Sequence, residues 1–351
     1  MPKRSSFSEK LMRWYCRCAR NLPWRQTRNP YEIWISEVML QQTTVNAVIP
    51  YYQRWVREFP TVQHAADAPL FKILKLWQGL GYYQRAKNIH KAAKVLCALH
   101  QGKIPADPNV LKNLPGFGPY TTGAVASIAF DIPHPIIDAN IRRVIMRILA
   151  MKGYADASRD QEILAFLNKI MPSKKAATFN QSLMELGALL CRNRTPSCLL
   201  CPVKGDCRAY QKGVQEIIPQ PRKRIMKDID VAVGILRKGG KYFIQKRPSQ
   251  GLLADLWEFP GGKIEEKETP VQALKREFRE ELGIAIASVK PLMHVRHSYT
   301  QFRVRLHVFL CQSQISVQED SAHKWVRLFD LLKYPMPSGS ARIVEKLQHP
   351  A

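Results

Sequence analysis

The sequence predicts two domains of different class, an all-helical domain followed by an α+β domain. The chain has 351 residues, more than one ordinary hydrophobic core accommodates. Apolar residues recur at helical spacing from Leu11 to about Tyr210, and beyond residue 228 the pattern changes to that of strands. The stretch 211–228 mixes proline with basic residues and has no period, which is typical of a linker. We therefore predict domains at 1–210 and 229–351.

Individual elements follow from local patterns. In the first domain, WISEVMLQQ (34–42), IRRVIMRILA (141–150) and QEILAFLNKIM (161–171) carry the period of helices. In the second, DVAVGILRKGGKYFIQKRP (230–248) predicts two strands around a Gly-Gly turn, and FRVRLHVFL (302–310) alternates as one strand. TPVQALKREFREEL predicts a helix capped by Thr269 with Pro270 in its first turn. The second domain therefore combines strands and helices.

The charge of the chain points to a polyanionic partner. Lys and Arg number 54 against 28 Asp and Glu, a net charge of +26. The excess is concentrated in 1–228, which holds 35 basic and 15 acidic residues, whereas 229–351 holds 19 and 13. No apolar run approaches the roughly 18 residues of a membrane span, and the basic N-terminus lacks the apolar core of a secretory signal. These observations favour a nucleic acid as partner and predict an intracellular, cytoplasmic protein.

Four of the eight cysteines lie within one short segment. Cys191, Cys198, Cys201 and Cys207 fall within 17 residues, without the two CxxC pairs of a zinc ribbon. This spacing favours a [4Fe–4S] cluster, and a zinc ion is the alternative that the residues alone leave open. Cys16, Cys18, Cys97 and Cys311 show no such pattern, and we expect them to be packing residues.

Two carboxylates and a glycine-rich turn are further candidates. Glu37 lies in an apolar helix, where it is either a hydrogen-bonded core carboxylate or, with a pKa raised by burial, a proton donor near neutrality. Asp138 precedes a helix, which it can cap. Gly116 and Gly118 belong to LPGFGPY, a turn in which small residues allow backbone N–H groups to approach a phosphate.

Together these motifs resemble the MutY branch of the endonuclease III superfamily, the adenine DNA glycosylases with a helix-hairpin-helix and a [4Fe–4S] loop. The resemblance covers essentially the whole chain. It implies that Glu37 protonates adenine and that Asp138 stabilises the sugar cation or a covalent sugar intermediate. The other residues it implies in DNA or base binding are Arg25, Gln41, Gln42, Tyr82, Gly116, Gly118, Asn140 and Glu185. Since Tyr120 stands where strand-nicking relatives keep an amine, the resemblance implies a monofunctional hydrolase.

The second domain carries a complete Nudix box. Its pattern residues are Gly262, Glu268, Arg276, Glu277, Phe278, Glu280, Glu281, Gly283 and Ile284. Glu277, Glu280 and Glu281 share one helix face and are candidate Mg²⁺ ligands. In the MutY family this Nudix-like domain usually lacks a complete box and recognises 8-oxoguanine. A second departure lies in the loop that meets 8-oxoguanine, where Tyr299, Thr300 and Gln301 replace the frequent Phe-Ser-His.

The leading hypothesis is therefore a monomeric enzyme that flips adenine out of an A:8-oxoG or A:G mispair in duplex DNA and hydrolyses its glycosidic bond. Two alternatives stay open at this point. One is an endonuclease III-like glycosylase/lyase, which Tyr120 and the second domain disfavour. The other is a Nudix pyrophosphohydrolase that requires Mg²⁺ and is tethered to DNA by its helical part. By elimination, we expect the protein to be located in a bacterial cytoplasm. Other repair proteins are candidate partners.

Overall fold

The computed structural model describes residues 6–222, 226–299, 302–313 and 317–349. Contacts divide the chain into two units, Met1–Asp67 with Asn88–Lys223 and Ala68–Lys87 with Arg224–Ala351. The first unit thus extends into the stretch that the sequence predicted as a linker. Residues 68–87 belong to the second unit, a feature that the sequence did not predict. Within the described residues, no helix has the length and apolar character needed to cross a membrane.

The described secondary structure of the first unit is helical, as predicted. Its helices are α1 (Phe7–Cys18), α2 (Pro30–Leu40), α3 (Val45–Glu58), α4 (Val62–Asp67), α7 (Pro108–Leu111), α8 (Pro119–Phe130), α9 (Ala139–Leu149), α10 (Asp160–Ile170), α11 (Ala176–Leu189) and α12 (Arg208–Gln211). Helix α6 (Gln84–His100) contains the boundary between the units, and α5 (Leu70–Trp77) belongs to the second. The core helix α11 packs against α1, α8 and α9. Short 3₁₀ turns occur at Pro23–Arg25, Ala157–Arg159, Cys198–Leu200 and Lys204–Asp206.

The predicted linker contributes to the core of the first unit. Ile218 is buried among the apolar residues of α9 and α11, and Val214 packs against the same cluster. The backbone N–H of Gln220 donates to the carbonyl of Gly153 at 2.9 Å. Because its apolar side chains are buried and its backbone is paired, this segment is structured rather than a free connection.

The second unit is a mixed sheet with a helix on each face. Its strands are β1 (Lys227–Lys238), β2 (Lys241–Lys246), β3 (Trp257–Glu258), β4 (Gly261–Lys263), β5 (Ile286–Tyr299), β6 (Phe302–Ser313) and β7 (His323–Arg327). Strand order is β3-β2-β1-β6-β5, with β4 on β1 and β7 on β2. The β1–β6 pair is parallel, and the others are antiparallel. Helix α13 (Pro270–Leu282) covers one apolar face and α14 (Ser338–Gln348) the other, after a 3₁₀ turn at Leu328–Lys333.

Local predictions in this unit are confirmed. Lys238 pairs with Lys241 across the turn formed by Gly239 and Gly240, both of which have positive φ. Thr269 caps α13 in a capping box with Gln272. The structure also explains why residues 68–87 belong here.

Among the contacts that hold that segment in the second unit are two hydrogen bonds and an ion pair. The Tyr83 hydroxyl donates to the Met336 carbonyl at 3.0 Å, and the Lys87 ammonium pairs with Asp255 at 2.6 Å. The backbone N–H of Met336 donates to the side chain of Gln78 at 3.2 Å. These partners lie more than 160 residues away in the chain, so no local pattern could reveal them.

The cysteines outside the cluster segment differ in exposure. Cys311 is buried in the second unit, as a packing residue should be, and Cys97 is half-buried. Cys16 and Cys18 are exposed, so the expectation that they are packing residues is wrong. Both lie near the end of α1, whose buried positions are Ser8, Leu11 and Tyr15.

Candidate active site

One cavity of about 670 Å³ in the first unit collects most of the predicted site residues. Its walls come from the chain before α2, from α2 and the turn after it, and from the beginnings of α8 and α9 and the middle of α11. The predicted residues that line it are Arg25, Glu37, Gln41, Gln42, Tyr120, Asp138, Asn140 and Glu185. Segments far apart in the sequence therefore meet at one concave site, which is how ligand and active sites are built.

Glu37 lies near the end of α2, a helix that is apolar on nearly all sides. Asn29 caps this helix by accepting a hydrogen bond from the Tyr31 N–H at 3.0 Å. The Glu37 residue is 4% exposed, and burial raises the pKa of its carboxyl to about 7. The nearby Asp138 raises this pKa further, while a hydrogen bond from Tyr120 opposes the rise. A buried carboxyl with this pKa is partly protonated at neutral pH and can donate a proton.

Tyr120 is the hydrogen-bond partner that orients Glu37. Its hydroxyl donates to Glu37 Oε2 at 2.5 Å from the first turn of α8. Burial raises the pKa of Tyr120 well above 10, and the adjacent carboxylates add to the effect. The phenol therefore stays protonated and remains a donor. As predicted, position 120 presents no amine to a sugar.

The predicted glycine turn leads directly into α8. Gly116 has a φ of +81°, and a Cβ there would lie 2.7 Å from Asn88 Cβ, so this position requires glycine on two grounds. Gly118 is the N-cap of α8, and no atom lies within 4 Å of where its Cβ would be. The backbone is thus accessible at the start of a helix, where N–H groups lack intrahelical partners.

Asp138 caps α9 and also lines the cavity. Its Oδ1 accepts a hydrogen bond from the Ile141 N–H at 2.6 Å, and its Oδ2 accepts one from Asn140 Nδ2 at 3.2 Å. Burial raises the pKa of Asp138, whereas these hydrogen bonds and the charge of Arg143 oppose that rise. The capping role and the position in the active-site cavity, two interpretations that the sequence offered, hold together in the structure.

Asn140 connects this carboxylate to the cysteine segment through Arg143. The Arg143 guanidinium donates to Asn140 Oδ1 at 2.9 Å, to the Gly187 carbonyl at 2.7 Å and to the Cys191 carbonyl at 2.8 Å. Gly187 permits this close contact between α9 and α11, since a Cβ there would lie 2.6 Å from Asn140 Cβ. The position of Asn140 therefore depends on the contact between these two helices.

Glu185 lines the same cavity together with two arginines. Its oxygens accept hydrogen bonds from Arg20 Nη2 and Arg25 Nη2, both at 2.7 Å, and from Arg20 Nε at 2.9 Å. Burial alone would raise the pKa of Glu185, but the two arginines outweigh burial and lower the pKa to about 2. Glu185 is therefore ionised although it is 0% exposed.

Arg20 and Gln181 are cavity residues that the sequence did not reveal. Arg20 is 165 residues from its carboxylate partner, and its neighbours form no periodic motif. Gln181 accepts a hydrogen bond from the Tyr15 hydroxyl at 2.8 Å. The one available signal was chemical, since a glutamate in the apolar segment LMELGALLC requires cationic partners.

The four clustered cysteines surround a second, smaller cavity in the first unit. Cys191, Cys198, Cys201 and Cys207 all line it. No three or more His, Cys, Asp or Glu side chains in the described part of the chain are arranged to hold a metal ion. The structure therefore brings all four thiols to the wall of one cavity, as a shared iron–sulfur cluster or metal ion requires.

A fully buried arginine adds positive charge to this cavity. Arg147 is 1% exposed and donates to Cys191 Sγ at 3.2 Å. It also donates to the carbonyls of Arg192, Asn193 and Ile218 at 2.6, 2.9 and 2.7 Å. Within the described chain no carboxylate pairs with it. A cluster with four thiolate ligands is anionic, so this donor set suits the group that the sequence predicted.

In the second unit, the Nudix glutamates are already hydrogen-bonded within the domain. The Arg276 guanidinium donates to Glu277 Oε1 at 2.8 Å and to Glu280 Oε2 at 3.2 Å. The Gln245 amide donates to Glu281 Oε2 at 2.6 Å. Gly262 leaves room for Glu277, whose Oε1 would lie 2.0 Å from a Cβ at that position. The helix face is formed as predicted, and the glutamates face an arginine and an amide.

Some predicted residues lie elsewhere. Tyr82 belongs to the second unit, is 44% exposed and lies under the Arg85 guanidinium, 5.5 Å from the ring centroid. Thr300, Gln301 and the side chain of Tyr299 lie outside the described residues.

Sequence comparison identifies relatives over nearly the whole chain. A protein of Buchnera aphidicola subsp. Acyrthosiphon pisum named "Adenine DNA glycosylase" is 31% identical over 97% of this chain and 96% of its own length. The chain belongs to the adenine DNA glycosylase family. A human adenine DNA glycosylase is 32% identical over 84% of this chain and 63% of its own length. Members of this family are hydrolases of base excision repair, and so is this chain.

Family models and solved structures agree with this assignment. Residues 35–172 match the "HhH-GPD superfamily base excision DNA repair protein" model, and residues 231–346 match the NUDIX domain. A thermostable thymine-DNA glycosylase is 29% identical with a TM-score of 0.53, covering 59% of this chain and 95% of that chain. Endonuclease III in a non-covalent complex with DNA is 26% identical with a TM-score of 0.51 over the same shares. The predicted fold class, a helix-hairpin-helix glycosylase domain followed by a Nudix-like domain, is confirmed.

Proposed function

We propose that this adenine DNA glycosylase acts on duplex DNA, where it removes adenine paired with 8-oxoguanine or guanine by hydrolysis and without a lyase step. The observation that carries the proposal is the pair of buried carboxyls in one cavity, Glu37 hydrogen-bonded to Tyr120 and Asp138 hydrogen-bonded to the start of α9. Breaking an N-glycosidic bond requires an acid for the leaving base and an anion near the sugar. The cavity supplies both.

The reaction can be followed atom by atom. The electron pair of the C1′–N bond passes to the flipped adenine, and Glu37 donates its proton to a ring nitrogen of that base. The Tyr120 hydroxyl, 2.5 Å from Glu37 Oε2, orients the carboxyl and stabilises the carboxylate that remains. Asp138 stabilises the positive charge on the sugar, and water then attacks C1′. The proton released by that water restores Glu37.

The group formed by Arg20, Arg25 and Glu185 is suited to binding rather than to proton transfer. Arg20 and Arg25 neutralise Glu185 and fix its two oxygens in position. Arg25 and Glu185 then bind the flipped base, while Gln41 and Gln42, at the edge of the same cavity, occupy the space that it leaves in the duplex. Tyr82 stacks near the opposing lesion, and the glycine turn binds a phosphate through the start of α8.

The four clustered cysteines would hold a [4Fe–4S] cluster, in keeping with the cavity they share and the charge of Arg147. When bound, the cluster would supply iron–thiolate bonds that tie the segment 191–207 together between the end of α11 and the start of α12. A brown protein that contains iron and acid-labile sulfide supports this assignment. A colourless protein with stoichiometric zinc contradicts it.

Mg²⁺ binding at Glu277, Glu280 and Glu281 stays a prediction that the described arrangement does not favour, because Arg276 and Gln245 already engage these side chains. For the second unit we propose 8-oxoguanine recognition, through Tyr299, Thr300 and Gln301. We further propose that the enzyme acts as a monomer in the cytoplasm of a bacterial cell, at the nucleoid.

The test is adenine excision from labelled duplexes that carry A:8-oxoG, A:G or A:T, in EDTA, with and without alkali. We expect strand cleavage of the two mispairs only after alkali, and none with Glu37→Gln. Glu32→Gln is the matched control, because Glu32 lies on the same helix and outside the cavity. Cleavage without alkali would show a lyase, and no excision by cluster-loaded enzyme would refute the proposal.

A further inference from the structure

Gln215 lines the cysteine cavity with a buried polar atom that lacks a partner. Its side chain belongs to the cavity wall together with the four cysteines. Its Oε1 is buried and accepts no hydrogen bond within the described chain. Burying an amide oxygen without a partner is unfavourable, so such an atom requires an explanation.

The backbone holds Gln215 at this wall. The adjacent Val214 donates its N–H to the Ala209 carbonyl at 2.9 Å and packs against the core. Three residues later, Ile218 is buried, and its carbonyl accepts a hydrogen bond from Arg147 Nε at 2.7 Å. Because the segment is fixed on both sides, the side chain of Gln215 cannot move far from the cavity.

The chemistry of the cavity indicates which end of the amide belongs inside. Thiolates and inorganic sulfides accept hydrogen bonds, and Arg147 already donates to Cys191 Sγ at 3.2 Å. The oxygen and nitrogen of a glutamine amide exchange places by a half-turn about the last side-chain bond, and the nitrogen carries two donors. An amide nitrogen at the buried position could donate its N–H groups to these sulfur acceptors. An amide oxygen there would face the same acceptors and could form no hydrogen bond with them.

We propose that Gln215 donates a side-chain N–H hydrogen bond to a sulfur atom of the cluster, and thereby stabilises its more electron-rich state. This inference depends on the cluster assigned under the proposed function. Hydrogen bonds to the sulfurs are among the factors that set a cluster's potential, since a donor favours the oxidation state with more negative charge. Gln215 is thus a positioning residue that protects the cluster from oxidation and takes no part in catalysis.

Gln215→Leu tests the proposal, because leucine keeps the bulk of the side chain and has no donor. The matched control is Gln211→Leu, since Gln211 is exposed, donates to the Gly205 carbonyl at 2.7 Å and does not line the cavity. We expect wild-type iron and sulfide content in both variants. Only Gln215→Leu should show a lower midpoint potential on a DNA-modified electrode and several-fold faster oxidation by ferricyanide.

A spectroscopic measurement identifies the hydrogen bond itself. Iron–sulfur stretching bands in the resonance Raman spectrum of the wild type should shift on exchange into D₂O, and this shift should be smaller in Gln215→Leu than in Gln211→Leu. If Gln215→Leu loads no cluster, Gln215→Met provides the same comparison, because methionine is of similar length, is uncharged and has no N–H. Equal potentials, oxidation rates and isotope shifts in all loaded variants would overturn the inference. Wild-type protein without iron and sulfide would instead refute the cluster assignment.

Discussion

The active-site cavity is lined by two carboxyl groups that are both buried and yet differ in charge. Glu37 is 4% exposed and Glu185 is 0% exposed, yet the pKa of the first rises to about 7 and that of the second falls to about 2. Glu37 has a neutral phenol as partner, whereas Glu185 lies between two guanidinium groups. Burial raises the pKa of both carboxyls, and the charge of the partners determines whether that rise persists, as in Glu37, or is reversed, as in Glu185.

This difference in charge assigns separate tasks to the two carboxyls. A carboxyl that is protonated near neutrality can give a proton to a leaving base, which an ionised one cannot. A carboxylate held by two arginines is rigid, and it also stabilises the fold because its removal leaves two cations without their partner. Substitutions at Glu37 should therefore change the chemistry, and substitutions at Glu185 should also change stability.

The largest effect is expected for Glu37→Gln. Glutamine preserves the shape of the side chain and cannot donate the proton, so single-turnover adenine excision should fall by roughly 10³-fold or more. Thermal unfolding at pH 8 should show a variant at least as stable as wild type, because an uncharged amide replaces a buried carboxylate. Retention of more than a tenth of the rate would show that Glu37 is not the acid. Glu32→Gln controls for a general effect of changing α2.

Glu185→Gln is expected to destabilise the first unit by about 3 kcal/mol, since it breaks a buried ion pair with Arg20 and Arg25. The wild-type advantage should be complete above pH 4.5, the ordinary pKa, and should disappear as the pH falls toward 2, because Glu185 becomes protonated. Urea unfolding at several pH values measures this difference. Glu162→Gln, at an exposed position of α10, should cause no comparable change, and equal stability of the two variants would contradict the account.

Gly187→Ala should disturb the connection between the cavity and the cysteine segment. The added Cβ would meet Asn140 Cβ at 2.6 Å, so α9 must shift and displace Asn140 and Asp138. Excision should slow by up to roughly 10²-fold, with a smaller change in DNA affinity. Gly205→Ala is the control, since no atom lies within 4 Å of its added Cβ. Equal excision rates in the two variants would show that this helix contact does not position the site.

Tyr120→Phe should have the smallest effect, visible in the pH profile. Excision requires protonated Glu37, so the rate should decline as the pH rises through about 7. Because the Tyr120 hydrogen bond lowers the pKa of Glu37, its removal should move this decline to higher pH. Tyr154→Phe, at an exposed position, should leave the profile unchanged. A shift to lower pH in Tyr120→Phe would contradict the assigned role of the phenol.

The sequence predicted features that depend on local patterns. The helical and strand periods, the Thr269 cap, the Gly-Gly turn and the placement of Asp138 before α9 all depend on neighbours a few residues apart. The resemblance to the MutY family additionally predicted which side chains line the cavity. Glu37, Asp138 and Glu185 do line one cavity, and their roles in the reaction remain proposals.

The features that escaped prediction depend on distant contacts. Arg20 could not be identified because its partner Glu185 is 165 residues away. Residues 68–87 belong to the second unit because of distant partners such as Met336. Ile218, which lies in the predicted linker, is buried in the core of the first unit. The opposite pKa shifts of two buried glutamates likewise depend on which side chains the fold brings next to each of them.

The most direct test of the central claim is the titration of Glu37 itself. Infrared difference spectra of wild type minus Glu37→Gln, recorded from pH 4 to 9, isolate the carbonyl stretch of the protonated carboxyl. We predict that this band persists at pH 6 and is lost with a midpoint near 7. A midpoint near 4.5, the ordinary value, would mean that Glu37 is ionised at neutral pH and cannot be the proton donor.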